Sequence, residues 1–186
     1  MEFLFLMQQG KRCPPDPDPE ANFFLTSYYY MLQGNIGKSA EYAKKSIDFQ
    51  QNLVGALNLL GAAHAREKVW TPARECFQRA LSIDDTNICT LYNLATLYGQ
   101  TMAFVDQKKC LNQIRGQDGL KNSAEKRRFR RWGSTQAKEL NVDHDLGVCL
   151  LSLNDYENAI RLFLRIHPSS LYTTKLIIFS LLQVGR

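Results

Sequence analysis

The sequence is poor in the residues from which chemical sites are usually built. Its five cysteines, Cys13, Cys76, Cys89, Cys110 and Cys149, never fall within four residues of one another. No paired-thiolate spacing of the zinc-binding type therefore exists. An odd number of thiols in a chain of 186 residues suits a reducing compartment. Histidine occurs only three times, as His64, His144 and His167. There is no Gly-x-Ser-x-Gly elbow, no glycine loop to cradle phosphate and no His-Glu-x-x-His pair. Long apolar runs are missing too. The opening MEFLFLMQQG has a five-residue apolar run behind the acidic Glu2, whereas a secretory signal needs a basic start and a longer apolar core. No run approaches the ~18 apolar residues of a membrane span. These absences argue against an enzyme, a bound metal or cofactor, a small-molecule substrate and a membrane protein. The expected location is cytoplasmic or nuclear.

What is present suffices for a packed core. Hydrophobic residues make up 45% and charged residues 22%, ordinary values for a globular chain that needs neither disulfide nor metal to fold. The net charge of +5 is concentrated. Residues 121–138 carry seven basic side chains against the single acid Glu125, so the remainder of the chain is close to neutral. A generally basic binder of polyanions is excluded by that distribution.

The chain also repeats itself. Offsetting residues 54–87 by 34 places Leu57 over Leu91, Leu60 over Leu94, Gly61 over Ala95 and His64 over Tyr98. Leu57, Leu60, Gly61 and His64 follow i, i+3, i+4, i+7 spacing, one face of a helix. Ala73, Phe77 and Ala80 mark a second such face. Thr71 before Pro72 reads as an N-cap followed by the first helical residue. Two short helices with one apolar stripe each cannot bury those stripes alone and must stack on neighbours.

Leu57, Leu60-Gly61, His64, Ala73, Phe77 and Ala80 together resemble the tetratricopeptide repeat (TPR) family, with His64 in place of an aromatic and Asp85 in place of the usual helix-ending proline. Residues 20–53 resemble the same unit through Phe23, Tyr30, Ser39 and Ser46, with Ala43 where an aromatic is expected. From Ile88 the first helix fits, and Gln107 departs from the alanine expected in the second. A fourth unit begins near Leu140 (Leu146-Gly147, Leu150, Ala159, Phe163), and residues 171–184 resemble the first helix of a fifth. The resemblance implies an all-α, right-handed α-solenoid of TPR-like helical hairpins with a short basic helical insert. Its expected layout is an N-terminal segment and proline-rich linker (1–19), three repeats (20–121), the insert (122–139), and a fourth repeat with the first helix of a fifth (140–186). The linker contains CPPDPDPEANF, whose four prolines favour extended geometry. Residues 1–9 read equally as a short helix on the first repeat or as the remainder of an upstream one. The apolar LIIFSLLQV (176–184) is not a polar cap, so the fifth helix is expected either to mark a fragment or to meet something else.

The resemblance also implies where a partner lies: along the inner face lined by the first helix of each hairpin. Carried over position by position, that groove comprises Phe24, Tyr28 and Met31, then Asn58 and Ala62, then Tyr92, Asn93 and Thr96, then Asn141, His144 and Val148. Asparagine amides can both donate to and accept from a peptide backbone, and tyrosine supplies rigid amphipathic area. Some relatives clamp a terminal carboxylate with basic residues. The corresponding positions here, Phe24, Tyr28, Leu59, Cys89 and Asn93, contain none, so the expected ligand is a helix or an internal extended segment. DDTN (84–87) reads as an inter-repeat turn rather than a metal site, and His144 beside Asp145 as neighbours that point apart on a helix.

The charge run EKRRFRRWGS remains. Asn122 and Glu125 form a capping-box pattern for a helix from Ser123 to near Trp132, ended by Gly133. Phe129 and Trp132 would dock it, leaving Lys126, Arg127, Arg128, Arg130 and Arg131 as a solvated face, a nuclear address, an acidic-partner contact or a phosphate contact. The function expected from the whole is a non-enzymatic scaffold or adaptor for a protein partner within a larger complex. A nucleic-acid-associated scaffold is the alternative.

Overall fold

The computed structural model of the chain describes residues 22–118, 142–165 and 171–185. Among these the regular structure is helical throughout. The elements are α1 (Phe23–Leu32), α2 (Ile36–Asp48), α3 (Leu53–Arg66), α4 (Trp70–Ile83), α5 (Ile88–Gln100), α6 (Phe104–Asp118), α7 (Val142–Ser152), α8 (Tyr156–Arg165) and α9 (Leu171–Val184). They fall into two compact units whose boundary lies inside α5, after Asn93. In the first unit α1 packs on α2, α2 on α3, α3 on α4, and α1 also on α3. In the second, α6 packs on α7, α7 on α8 and α8 on α9. The expected linker at 1–19 and the basic insert at 122–139 lie outside the described residues, as does His167.

One close contact sets the geometry of a hairpin. A methyl group built on Gly61 of α3 would lie 2.6 Å from Cε1 of Phe77 on α4. On Gly147 of α7 it would lie 2.5 Å from Cε1 of Phe163 on α8. Both phenylalanines are essentially inaccessible, at 1% and 0% exposure. In each pair the phenylalanine follows its glycine by 16 residues. The same register elsewhere pairs Ala95 with Leu111 and Ser27 with Ala43, again all buried. The volumes move in opposite directions: a larger residue on the first helix goes with a smaller one on the second. This is how a close-packed contact tolerates substitution. It also accounts for Ala43, the departure from the expected aromatic. Ser27 occupies part of the space and donates its hydroxyl to the Ser39 carbonyl at 2.8 Å, so no polar group is left unpaired. The aromatic role shifts one position to Tyr42, which stacks on Tyr30 with ring centroids 5.5 Å apart. Gln107, another departure, is met by a second adjustment, because a methyl on Gly99 would fall 2.7 Å from its Nε2.

The turns inside the hairpins are also repeated. Gly34, Lys68, Met102 and Asn154 all have left-handed backbones, with φ of 75°, 61°, 59° and 60°. Each turn closes by the same two bonds. At Lys68 they run from its own N–H to the Ala65 carbonyl (3.1 Å) and from Val69 N–H to the His64 carbonyl (2.9 Å). This is the Schellman arrangement that satisfies the last carbonyls of a helix. Only the first turn uses glycine, the residue that adopts this conformation without a Cβ penalty. The start of α4 departs from expectation. The helix begins at Trp70 with Val69 as its N-cap residue, not at Pro72 after Thr71. Pro72 is then the third helical residue, still within the first turn, where its missing N–H has no intrahelical partner to lose. His64 is half-buried, with Nδ1 4.0 Å from the Glu67 carboxylate. On α9, Ser180 is buried, whereas Ile178, Phe179, Leu181 and Leu182 are exposed.

Two outcomes follow. Gly61→Ala should destabilise the protein by ~1–2 kcal/mol by overpacking against Phe77, and adding Phe77→Leu should recover part of the loss. Denaturation of both single variants and the double variant measures this coupling; strict additivity would refute the contact's role. Met102→Gly, at an exposed turn, should raise the thermal midpoint by roughly 1–3 °C by removing left-handed strain.

Candidate functional site

Apart from Asn141, the groove positions drawn from the sequence fall on the first helices of the hairpins. Phe24, Asn58, Tyr92 and His144 share one register position of their helices, and Tyr28 and Thr96 share the position four residues on. Their environments differ. Phe24 on α1 is buried, its Cε2 set where a methyl on Gly55 of α3 would lie 2.6 Å away. It therefore packs α1 against α3. Tyr28 is half-buried, and burial, with a smaller contribution from the Cys89 thiol, pushes its hydroxyl above the ordinary tyrosine range. Tyr92 and Asn93 on α5 are half-buried.

Within the first unit these residues are joined by a directed chain of hydrogen bonds. Asn93 Nδ2 donates to Asn58 Oδ1 at 3.4 Å. Asn58 Nδ2 donates to Thr90 Oγ1 at 2.7 Å, linking α3 to α5. The Thr90 hydroxyl donates to Asn87 Oδ1 at 2.9 Å, and the same oxygen accepts from Thr90 N–H at 3.1 Å, capping α5. Asn87 Nδ2 donates to Asp84 Oδ2 at 3.0 Å. The remaining oxygen of Asp84 accepts from the Thr86 N–H and hydroxyl. Every donor points toward the carboxylate, so each bond polarises the next in the same sense. Thr90 is fully buried, which shields the middle of the chain from water. The DDTN turn is thus a hydrogen-bonded terminus. Asn58 spends one donor and one acceptor on its neighbours and serves mainly to orient Asn93. Among the described residues the Asn93 side chain makes that one hydrogen bond, which leaves its oxygen and a second N–H to a ligand. Sequence reading missed Thr90, Asn87 and Asp84 as parts of this arrangement. The signal available was Asn87 three residues before Thr90, an N-cap spacing.

In the second unit, Thr96 is exposed on α5 and His144 is half-buried on α7. The His144 ring meets Phe163 edge-on at 6.1 Å, and its Nδ1 lies 3.5 Å from Asp145 Oδ1. The expectation that these sequence neighbours point apart is corrected by that contact. Cys149 Sγ donates to the Phe104 carbonyl at 3.2 Å. Burial, helped by Asp106, pushes the Cys110 thiol up to about 11, a structural rather than reactive thiol. Asn141 and the basic residues Lys126, Arg127, Arg128, Arg130 and Arg131 lie outside the described residues. Among the described residues no group of three or more His, Cys, Asp or Glu is placed to hold a metal ion, and no helix is long and apolar enough to cross a membrane.

No family model matches the sequence, and no curated protein matches it. Solved structures do match. MamA from AMB-1 aligns over 88% of this chain and 81% of its own, with TM-score 0.68 and 19% identity. MamA from MSR-1 aligns over 91% of this chain and 88% of its own, with TM-score 0.68 and 17% identity. The APC/C hetero-tetramer Cut9–Hcn1 aligns over 86% of this chain and 29% of its own, with TM-score 0.61 and 22% identity. The chain has the TPR-type fold. The TPR-type hairpins supply the register that aligns Asn58 and Tyr92 on one face.

Asn58→Ala should cost about 1–2 kcal/mol by breaking two hydrogen bonds and leaving Thr90 without its donor. Asn93→Ala should cost less, and the two losses should be subadditive in a double-variant denaturation series. Independent losses would show that the chain is not coupled.

Proposed function

We propose that the protein is a non-enzymatic scaffold or adaptor that captures a helix or extended segment of a protein partner along the face carrying Tyr28, Asn58, Tyr92 and Asn93. The observation that carries this reading is the oriented amide of Asn93 beside Tyr92. A hydrogen-bonding group held in one direction next to a rigid aromatic loses little entropy on binding, and an amide can pair with a peptide backbone through both its atoms. Such a surface recognises main chain and shape rather than performing a reaction. The fold shared with Cut9, which occurs in a hetero-tetramer with Hcn1, supports assembly with another protein. In the second unit we extend the reading to Thr96, Asn141 and His144, the positions that the resemblance assigns to partner binding there. Phe24 acts beneath it as the packing residue that sets α1 on α3. The charge run at 126–131 would add an accessory contact to an acidic partner surface, in the cytoplasm or nucleus.

The test is affinity capture with the intact protein and a Tyr92→Ala, Asn93→Ala variant, followed by direct titration of the captured partner. The variant should lose at least one partner, with about tenfold weaker binding on titration, while its helical circular dichroism is unchanged. An identical partner set and identical affinity would end the proposal.

A further inference from the structure

A second site lies on other residues altogether. In the second unit a cavity of about 350 Å³ opens between α6 and α8 with α7 as its floor. From α6 it is lined by Lys108, Asn112 and Arg115, at i, i+4, i+7 on one helix face. From α8 it is lined by Asn158, Arg161 and Arg165, at i, i+3, i+7. Four cations therefore face one cleft, in a chain whose charge outside residues 121–138 is close to neutral.

Two of the four are already compensated. Lys108 Nζ is 3.7 Å from Asp155 Oδ2, and Arg115 Nε is 3.1 Å from Asp143 Oδ1. Arg161 reaches only the Asn158 amide oxygen, at 3.5 Å, and Arg165 pairs with no carboxylate among the described residues. Arg161 and Arg165 stand four apart on one helix and repel each other, and among the described residues neither has a carboxylate within ion-pair distance. Asn158 is itself positioned: its Nδ2 donates to both Asp155 oxygens at 2.9 and 3.0 Å, which turns its Oδ1 toward Arg161. The base of the cleft is apolar, formed by Leu146 and Leu150 of α7 with Leu162 of α8.

We infer that this cleft binds an acidic peptide segment of a partner protein, with carboxylates on Arg161 and Arg165 and an apolar side chain between them on the leucine floor. The dimensions agree. Seven residues of helix span about 10 Å, the length of about three residues of extended peptide. Alternate side chains of such a strand point to opposite faces, so an acid–apolar–acid register can address cations and floor together. Arginine forks hold carboxylates bidentately, and the exposed amide of Asn112 faces the same cleft, where it can pair with a peptide group. A nucleic-acid backbone fits less well. Its unbroken charge would meet Asp143 and Asp155 beside the cleft, and it has nothing to place on three leucines. The inference does not rest on the face carrying Tyr92 and Asn93.

The experiment is fluorescence anisotropy of the intact chain with a labelled peptide of alternating glutamate and leucine, run in rising salt. A glutamine-for-glutamate peptide and a single-stranded oligonucleotide serve as comparison probes. The glutamate peptide should bind and weaken with salt, and the glutamine peptide should bind at least about tenfold more weakly. Arg161→Glu with Arg165→Glu should weaken the glutamate peptide more than about tenfold, at unchanged helical circular dichroism. Arg161→Ala with Arg165→Ala should give a smaller loss in the same direction, and it stands in for the charge reversal if that variant fails to fold. The variants Tyr92→Ala with Asn93→Ala, and Arg127, Arg128, Arg130 and Arg131 all →Ala, should bind the peptide as the intact chain does. The idea is overturned by absence of binding, by undiminished binding of the cleft variants, by loss on the insert variant instead, or by equal binding of the glutamine peptide. Oligonucleotide binding that falls in parallel with peptide binding in the cleft variants would overturn the peptide assignment.

Discussion

How close two antiparallel helices can come at a single point governs each hairpin. Where Gly61 meets Phe77, and Gly147 meets Phe163, the ring lies against backbone with no room for a Cβ. The flanking leucines of the first helix and the alanines of the second are buried beside it. The close approach also fixes the rotation of the first helix, and with it which residues flank the contact. Asn58 and His144 each precede the glycine of their hairpin by three positions, so they border the packed side, where the His144 ring meets Phe163 edge-on.

The polar chain from Asn93 to Asp84 uses this fixed rotation. Asn58 can bridge α3 to Thr90 only because both helices are held in register by contacts on their buried sides. Groups of modest polarity become a rigid arrangement when each has one donor and one acceptor committed. The result is an amide on α5 whose orientation is decided inside the protein, before any ligand arrives. Core packing, the cap of α5 and the candidate binding face are thus one connected structure rather than three separate features.

Much of the fold was legible because its signal is periodic. Leu57 and Leu91, or Gly61 and Ala95, are recognisable at a fixed offset without knowledge of any contact. The departures were harder to interpret, since compensation is a property of pairs. Ala43 reads as a defect until Ser27 is known to stand at the matching position, and Gln107 until Gly99 is known to face it. The start of α4 was misplaced because Pro72 is compatible with more than one position of a first turn. At the candidate site, the residue types of Asn58 and Asn93 were evident from sequence, but their division of labour was not. A hydrogen-bond direction depends on Thr90, 32 residues from Asn58, and no local pattern reports it. The cleft between α6 and α8 escaped for a similar reason. Its arginines are scattered over two helices, whereas the eye is drawn to the contiguous run at 126–131.

The turns between paired helices carry a last implication. Four chemically unrelated residues, Gly34, Lys68, Met102 and Asn154, occupy the same left-handed position, each exposed and each closed by the same pair of backbone bonds. The conformation is imposed by the helices on either side and not encoded by the residue in the turn. Such positions are free to drift over generations, because almost any side chain can be carried there at small cost. A protein whose architecture is held by a few paired volumes, and whose loops impose so little, can share its shape with distant chains while keeping hardly any of their letters.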